Sequence, residues 1–390
     1  KSYRARVFNP FSGEEIDDAI FVYFKAPNSF TGEDIIEIYA HGSIAISHSL
    51  TEAVLAHNGV RFAEKGEFTR RAVMNSKMDL LSAEGLIDLI NSETAMQKKQ
   101  ALNQYKGILY NLSESWREEI VKIMSLVEAY IDFPDEDIPN SVILDAENKI
   151  NSIKNSLSRF LNDNNKGERL KAGIKLAIYG KPNVGKSSLI NFLTKREVSI
   201  VSSISGTTRD IIESHIDISG YPFTLVDTAG IHNDTKDEIE LEGIKRAKDA
   251  VQNADLKIYI QSAEDEEKIY TDEENIIHVI NKIDIKEFQD DRFVKISVKN
   301  NIGLDILLKE IESKAQNLVS SGEDAVITSQ RQRDSIKKAL AALDKVSLTG
   351  DLILAAEDLR ITSRELQFLI GRVDVEDVLD QVFSSFCIGK

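Results

Sequence analysis

The stretch "IKLAIYGKPNVGKSSLINFL", Ile174 to Leu193, decides the architecture of this chain. It opens as a short apolar run with strand character, passes through the glycine-bearing turn "GKPNVGKSS", and continues as the amphipathic run "SSLINFL". That order predicts strand, loop and helix, the context in which the pattern GxxxxGK[ST] cradles phosphate groups. Gly180 and Gly185 allow the backbone to turn its N–H groups onto phosphates at a helix N-terminus. Lys186 would reach the β- and γ-phosphates and Ser187 would ligate Mg²⁺, with Asn183, Val184 and Ser188 completing the loop. A glycine-rich turn without a ligand is the plain alternative, and the complete motif in this context disfavours it.

Further motifs follow in order. "SGTTRD", Ser205 to Asp210, brings Ser205, Gly206, Thr207 and Thr208 toward the nucleotide, with a threonine hydroxyl for the metal. "FTLVDTAG" ends a predicted strand with Asp227, Thr228, Ala229 and Gly230, which supply an outer-shell carboxylate and a backbone N–H for the γ-phosphate. "VINKID" presents Asn281, Lys282 and Asp284, and "SVK" adds Ser297, Val298 and Lys299. An aspartate at the position of Asp284 accepts hydrogen bonds from the N1–H and exocyclic amine of guanine, which adenine does not offer, so the site is expected to prefer GTP. Each fragment alone is weak; together and in sequence they are specific.

The flanking patterns set the domains. Residues 15–40 alternate apolar and polar runs around turn residues and predict a small sheet. From Leu80 to about Lys171 apolar residues recur at helical spacing, as in Ile120, Ile123, Met124, Val127 and Ile131. After Gly173, strand-like runs with helical stretches between them predict a parallel sheet covered by helices, and helical spacing returns from about Ser320 to Phe386. One helical domain interrupted by an α/β domain is the economical reading; a second, independent bundle is the alternative.

Composition narrows the function class. The 390 residues carry 42% hydrophobic and 29% charged side chains, with no apolar run approaching the ~18 residues of a membrane span. A formal charge of −16 argues against coating nucleic acid by bulk electrostatics. A single cysteine, Cys387, excludes an intramolecular disulfide and fits a reducing compartment. The opening "KSYRARVFNP" lacks a methionine, which suggests that an N-terminal stretch precedes it. Ile231 stands where many GTPases keep a water-orienting glutamine, so Glu240 or Glu238 in the following acidic run would have to hold the water. That run also reads as a solvated helix start. Arg209 is equally an arginine finger or a surface residue, and a monovalent cation at Asn183 would supply the missing positive charge.

These residues resemble one family, the MnmE (TrmE) tRNA-modification GTPases. The resemblance spans nearly the whole chain: "PNSFTGED", "HGS", "GEFTRRA", "NSKMDL", "IDFPDED", "GKPNVGKSSL", "SGTTRD", "DTAGI" and "FSSFCIGK". It implies a multidomain α/β plus α fold, with an N-terminal α+β folate-binding-type dimerisation domain at 1–78 and a helical domain in two segments, 79–172 and 317–390. A Ras-like P-loop GTPase domain with a mainly parallel sheet is inserted at 173–316. It further implies a cytoplasmic homodimer that works with the flavoprotein MnmG. Together they place an aminomethyl- or carboxymethylaminomethyl-type group on C5 of the wobble uridine of certain tRNAs. The resemblance also implies a one-carbon unit from a tetrahydrofolate derivative of the 5-formyl or methylene type, and hydrolysis assisted by K⁺. By motif, Ser187 and Thr208 are the implied Mg²⁺ ligands, and Asn183, Ser202, Ile204 and Thr207 the K⁺ cage. Glu240 is the implied water-holding residue and Glu37, Lys77 and Lys390 the folate contacts; Cys387, by its own place at the end of the terminal arm, is a candidate nucleophile.

The tail "SSFCIGK" is a poor prenylation box, because it ends in lysine and carries Gly389 at an aliphatic position. Packing of Val382, Phe383 and Phe386 into the helical domain would tie it down and leave Cys387 beyond the last anchor. The competing function is a GTP-dependent assembly switch acting on ribosomal RNA without modification chemistry of its own.

Overall fold

The computed structural model describes residues 2–133, 140–196, 214–226, 249–319, 327–373, 379–380, 382–383 and 386. These fall into two compact units, one made of Lys1–Ile87, Gln104–Ile153 and Lys338–Lys390, the other of Asp88–Asn103 and Lys154–Lys337.

In the first unit, β1 (Ser2–Phe8), β2 (Glu15–Phe24) and β3 (Ile35–Tyr39) form an antiparallel sheet in the order β1-β2-β3. The expected small sheet is therefore present. It is followed by α1 (Ile44–Leu55), α2 (Glu67–Met74) and α3 (Leu80–Ile90). The helical run continues in the chain with α4 (Ala95–Tyr105), whose residues up to Asn103 belong to the second unit, α5 (Ile108–Asp132), wholly in the first, and α6 (Asn140–Leu161), which passes into the second after Ile153. Of the five α5 residues whose spacing predicts a stripe, Ile120, Ile123 and Val127 are in the core with Trp116 beside them, while Met124 and Ile131 are half-buried. Phe383 and Phe386, each 2% exposed, pack with Leu80, Ala83 and Ile87 of α3 and with Leu379. Gly66, just before α2, leaves no room for a side chain, since a Cβ there would stand 2.9 Å from Phe383 Cβ.

In the second unit, α7 (Lys166–Ala172) leads into β4 (Ile174–Tyr179) and then α8 (Lys186–Arg196). The sheet is completed by β5 (Ser214–Ile218), β6 (Tyr221–Val226), β7 (Leu256–Ser262), β8 (Ile276–Asn281) and β9 (Val294–Lys295). The helices α9 (Leu304–Val319), α10 (Gln330–Leu343) and α11 (Leu352–Ile370) follow in the chain, α10 running on into the first unit and α11 lying wholly within it. Strand order is β5-β6-β4-β7-β8-β9, parallel except for β5. β6 is buried along its whole length, which is why "YPFTLV" is apolar without alternation. Leu189 and Leu193 of α8, and Leu307 and Ile311 of α9, close one face of the sheet over Ile174, Leu176 and Ile178.

The strands are not all separated by helices. The connections from β7 to β8 and from β8 to β9 contain none, which corrects the expectation of helical stretches between the strands. The first, "EDEEKIYTDEEN", has only Ile269 and Tyr270 as large apolar residues and cannot make a buried stripe. Instead the loops are pinned individually. Gln261 Nε2 donates to Ile269 O at 2.8 Å and its Oε1 accepts from Ile269 N at 2.7 Å. Tyr270 and Phe293 pack on the buried His278 ring at centroid distances of 4.7 and 5.9 Å, and Phe288 abuts Phe293 at 5.4 Å. Burial pushes the His278 imidazole pKa down, so the plug is built around a neutral ring.

Polar ties hold the start of β4. Arg333 of α10, 4% exposed, pairs with Glu168 at 2.6 Å and Asp163 at 2.8 Å and donates to Leu161 O. Arg169 of α7 joins Asp255 at 2.8 Å and Leu318 O at 3.2 Å. No helix among the described residues is long and apolar enough to cross a membrane.

Candidate nucleotide site

β4 has β6 on one side and β7 on the other, so the chain leaves it in one direction for β5 and β6 and in the other for β7 to β9. The crevice at the C-terminal end of such a strand is where open α/β sheets bind ligands. Gly180 sits there at φ +155°, and a Cβ would fall 2.0 Å from Ile260 O. Gly185, at φ +103°, would place a Cβ 2.3 Å from Asn281 Nδ2. Both positions therefore exclude any side chain. Asn183 adopts φ +61°, a left-handed conformation that asparagine tolerates.

Leu189 N donates to Gly185 O at 3.0 Å, so the helix begins on that glycine and the amides of Lys186, Ser187 and Ser188 have no partner within the helix. Those amides and the helix dipole favour an anion at this end. Val184, 2% exposed, anchors the loop in the core while Ser187 and Ser188 face outward. Lys186 Nζ donates to Gly180 O at 2.9 Å and to Lys181 O at 2.8 Å, which puts the ammonium across the mouth of the loop. Burial lowers its pKa from the ordinary lysine value.

The motifs read from sequence as the base pocket meet this loop directly. Asn281, 5% exposed at the end of β8, donates to Val184 O at 2.8 Å and accepts from Val298 N at 3.2 Å. One side chain thus joins the phosphate loop to the "SVK" turn. Ser297 is fully buried, bridges to Ile302, and accepts from Asn300 N at 3.2 Å. Lys282 takes φ +66° and pairs with Glu264 Oε2 at 2.9 Å; Asp284 and Lys299 are exposed. The structure therefore brings together Gly180, Asn183 to Ser188, Asn281, Lys282, Asp284 and Ser297 to Lys299. Glu264 carried no motif and was not read from sequence. Its only signal was its place just past a strand end.

Ser202, Ser203, Ile204, Ser205, Gly206, Thr207, Thr208, Asp227, Thr228, Ala229, Gly230, Glu240, Cys387 and Lys390 lie outside the described residues. Of the folate candidates in the first unit, Glu37 is on β3 and accepts a hydrogen bond from the Tyr39 hydroxyl. Lys77 is exposed, with its stem beside Gly32, where a Cβ would stand 3.1 Å from Lys77 Cγ.

The chain is similar to known proteins along its whole length. Residues 1–77 match the model of the GTP-binding protein TrmE N-terminus, and residues 80–387 match that of the MnmE helical domain. A tRNA modification GTPase MnmE of Rickettsia bellii is 51% identical over 401 aligned residues, covering 100% of this chain and 90% of the relative. That of Rickettsia rickettsii is 50% identical with the same coverage. Among solved structures, Aquifex aeolicus Era Y63A bound to GDP and AlF4⁻ is 28% identical, covering 43% of this chain and 66% of its own, at a TM-score of 0.29. With the two models matching residues 1–77 and 80–387 and about half of all residues shared with its relatives, the chain belongs to the MnmE family of tRNA modification GTPases.

Proposed function

We propose that this GTP hydrolase of tRNA modification runs a potassium-stimulated switch and, with the flavoprotein MnmG, modifies C5 of the wobble uridine of certain tRNAs. The observation that carries the nucleotide part is the Asn281 side chain, which ties the phosphate loop and the base-recognition turn into one piece. A ligand that engages both ends is then bound by a preorganised frame rather than by two loops that must be ordered separately.

Ser187, exposed on the first turn of α8, fits one protein ligand to a Mg²⁺ whose remaining ligands are phosphate oxygens and water. Asn183, turned outward by its positive φ, fits a K⁺ site beside the same phosphates. The ions would supply positive charge where hydrolysis builds negative charge, a task for which the described residues offer Lys186. Thr208 would be the second Mg²⁺ ligand, Ser202, Ile204 and Thr207 the rest of the K⁺ cage, and Glu240 the residue holding water. Glu37, Lys77 and Lys390 would hold the tetrahydrofolate derivative, and Cys387 would serve the modification step. The working protein would be a cytoplasmic homodimer in complex with MnmG.

The test is GTP turnover by the full chain in matched K⁺ and Na⁺ buffers, combined with nucleoside analysis of tRNA from cells carrying Cys387→Ser. Faster turnover in K⁺, and loss of the modified uridine with turnover intact, are the expected results. Equal rates in the two salts would remove the potassium part, and unchanged nucleosides would remove the thiol.

A further inference from the structure

The guanine end of the site carries two carboxylates, Glu264 and Asp284, where base recognition needs one. We propose that Glu264 is a positioning residue for base selectivity: its carboxylate holds the Lys282 ammonium and so leaves Asp284 open to the guanine ring. The inference rests on the reading of Asp284 as the base acceptor.

Register puts the groups side by side. Ser262 at the end of β7 pairs with Asn281 at the end of β8, and Ala263 N donates to Asn281 O at 2.8 Å. The residues just past the two strand ends, Glu264 and Lys282, therefore stand next to each other. Lys282 turns back through φ +66°, with Ile285 N bonded to its carbonyl at 3.0 Å, and its Nζ meets Glu264 Oε2 at 2.9 Å. Glu264 is held from its own strand. Ser262 Oγ donates to Oε2 at 3.3 Å and accepts from Glu264 N at 3.2 Å, while Asp265 Oδ2 accepts from Ser262 N at 2.9 Å.

Asp284 is close enough to matter. The hydrogen bond from Lys282 holds the Glu264 carboxyl below its ordinary pKa, and the like charge of Asp284 opposes that effect. Asp284 itself is exposed and makes no ion pair among the described residues. A carboxylate that receives both N1–H and the exocyclic amine of guanine uses both oxygens, and an ammonium settled on it competes for them. One ammonium between two carboxylates must choose, and here the turn built on Ser262 gives it to Glu264.

The experiment measures dissociation constants of the full chain for GDP, IDP and ADP by competition, together with KM and kcat for GTP. IDP lacks the exocyclic amine, so the GDP to IDP ratio reports whether Asp284 is accepting. Glu264→Ala is expected to weaken GDP about twofold to fivefold, the scale of an exposed ion pair. It should lower the GDP to IDP ratio and change KM more than kcat. Glu264→Ala with Lys282→Met keeps the lysine's unbranched stem without its charge, and should bring the ratio back toward that of the parent chain. An unchanged ratio in the single variant overturns the proposal, as does a double variant no better than the single one. A parent chain with no preference for GDP over IDP instead overturns the reading of Asp284 and the proposal with it.

Discussion

The phosphate loop and the C-terminal tail are both short segments, yet they are held in opposite ways. The loop is shaped by an absence of side chains: Gly180 and Gly185 sit where a Cβ would strike Ile260 O or Asn281 Nδ2. The tail is held by the presence of two, Phe383 and Phe386, sunk among Leu80, Ala83 and Ile87. The first device leaves stability to the surrounding core and reserves the loop for chemistry. The second makes position depend on packing, so weakening the packing should free the segment.

The comparison breaks most readily at the tail. Phe386→Ala should cost about 3–5 kcal/mol of the first unit's stability, the usual range for truncating a buried phenylalanine. Urea denaturation checks this, and a loss below about 1 kcal/mol would mean that Phe386 is not the anchor. Lys186→Ala should act the other way, leaving the unfolding midpoint close to that of the parent while lowering GTP turnover by at least about a hundredfold. Turnover assays beside a melting curve separate the two effects, because among the described residues the lysine's bonds go to loop carbonyls.

Asn281→Ala sits between these extremes. It strips Val184 O and Val298 N of a buried partner, and should cost about 2 kcal/mol in stability as well as weakening nucleotide affinity. If only affinity fell, the asparagine would be a ligand contact and not a brace. The smallest effect is expected from acid. Glu67 of α2 is held at about 2, well under its ordinary value near 4.5, by hydrogen bonds from Arg61, from the Glu64 amide and from Arg71. Its folded-state pKa is depressed, so its contribution is present above about 4.5 and is lost as pH falls toward 2. Glu67→Gln should flatten the pH dependence of the first unit's stability in that window, measured by denaturation at stepped pH.

Much of the nucleotide site was legible because its geometry is local. A strand, two glycines at set spacing and a helix start define the phosphate loop whatever surrounds them, and "NKID" after an apolar run places Asn281, Lys282 and Asp284 at a strand end. Glu264 was not legible. Its role comes from the register of β7 against β8, and register is a property of paired strands, not of either one alone. The crossovers misled for a related reason: alternating strand signals suggested helices between them, whereas the acidic loop after β7 seals the sheet with Gln261, Tyr270 and Phe293.

The sequence by itself determined the nucleotide class, the central strand-loop-helix, the helical character of the flanking segments and the family, because short-range backbone sterics and apolar period are written in consecutive residues. Tertiary structure alone decided that Asn281 joins the two ends of the site and that Glu264 takes the Lys282 ammonium. Each of those contacts pairs residues far apart in the chain, and the free energy that selects them comes from burial and charge pairing, which exist only once the chain has folded.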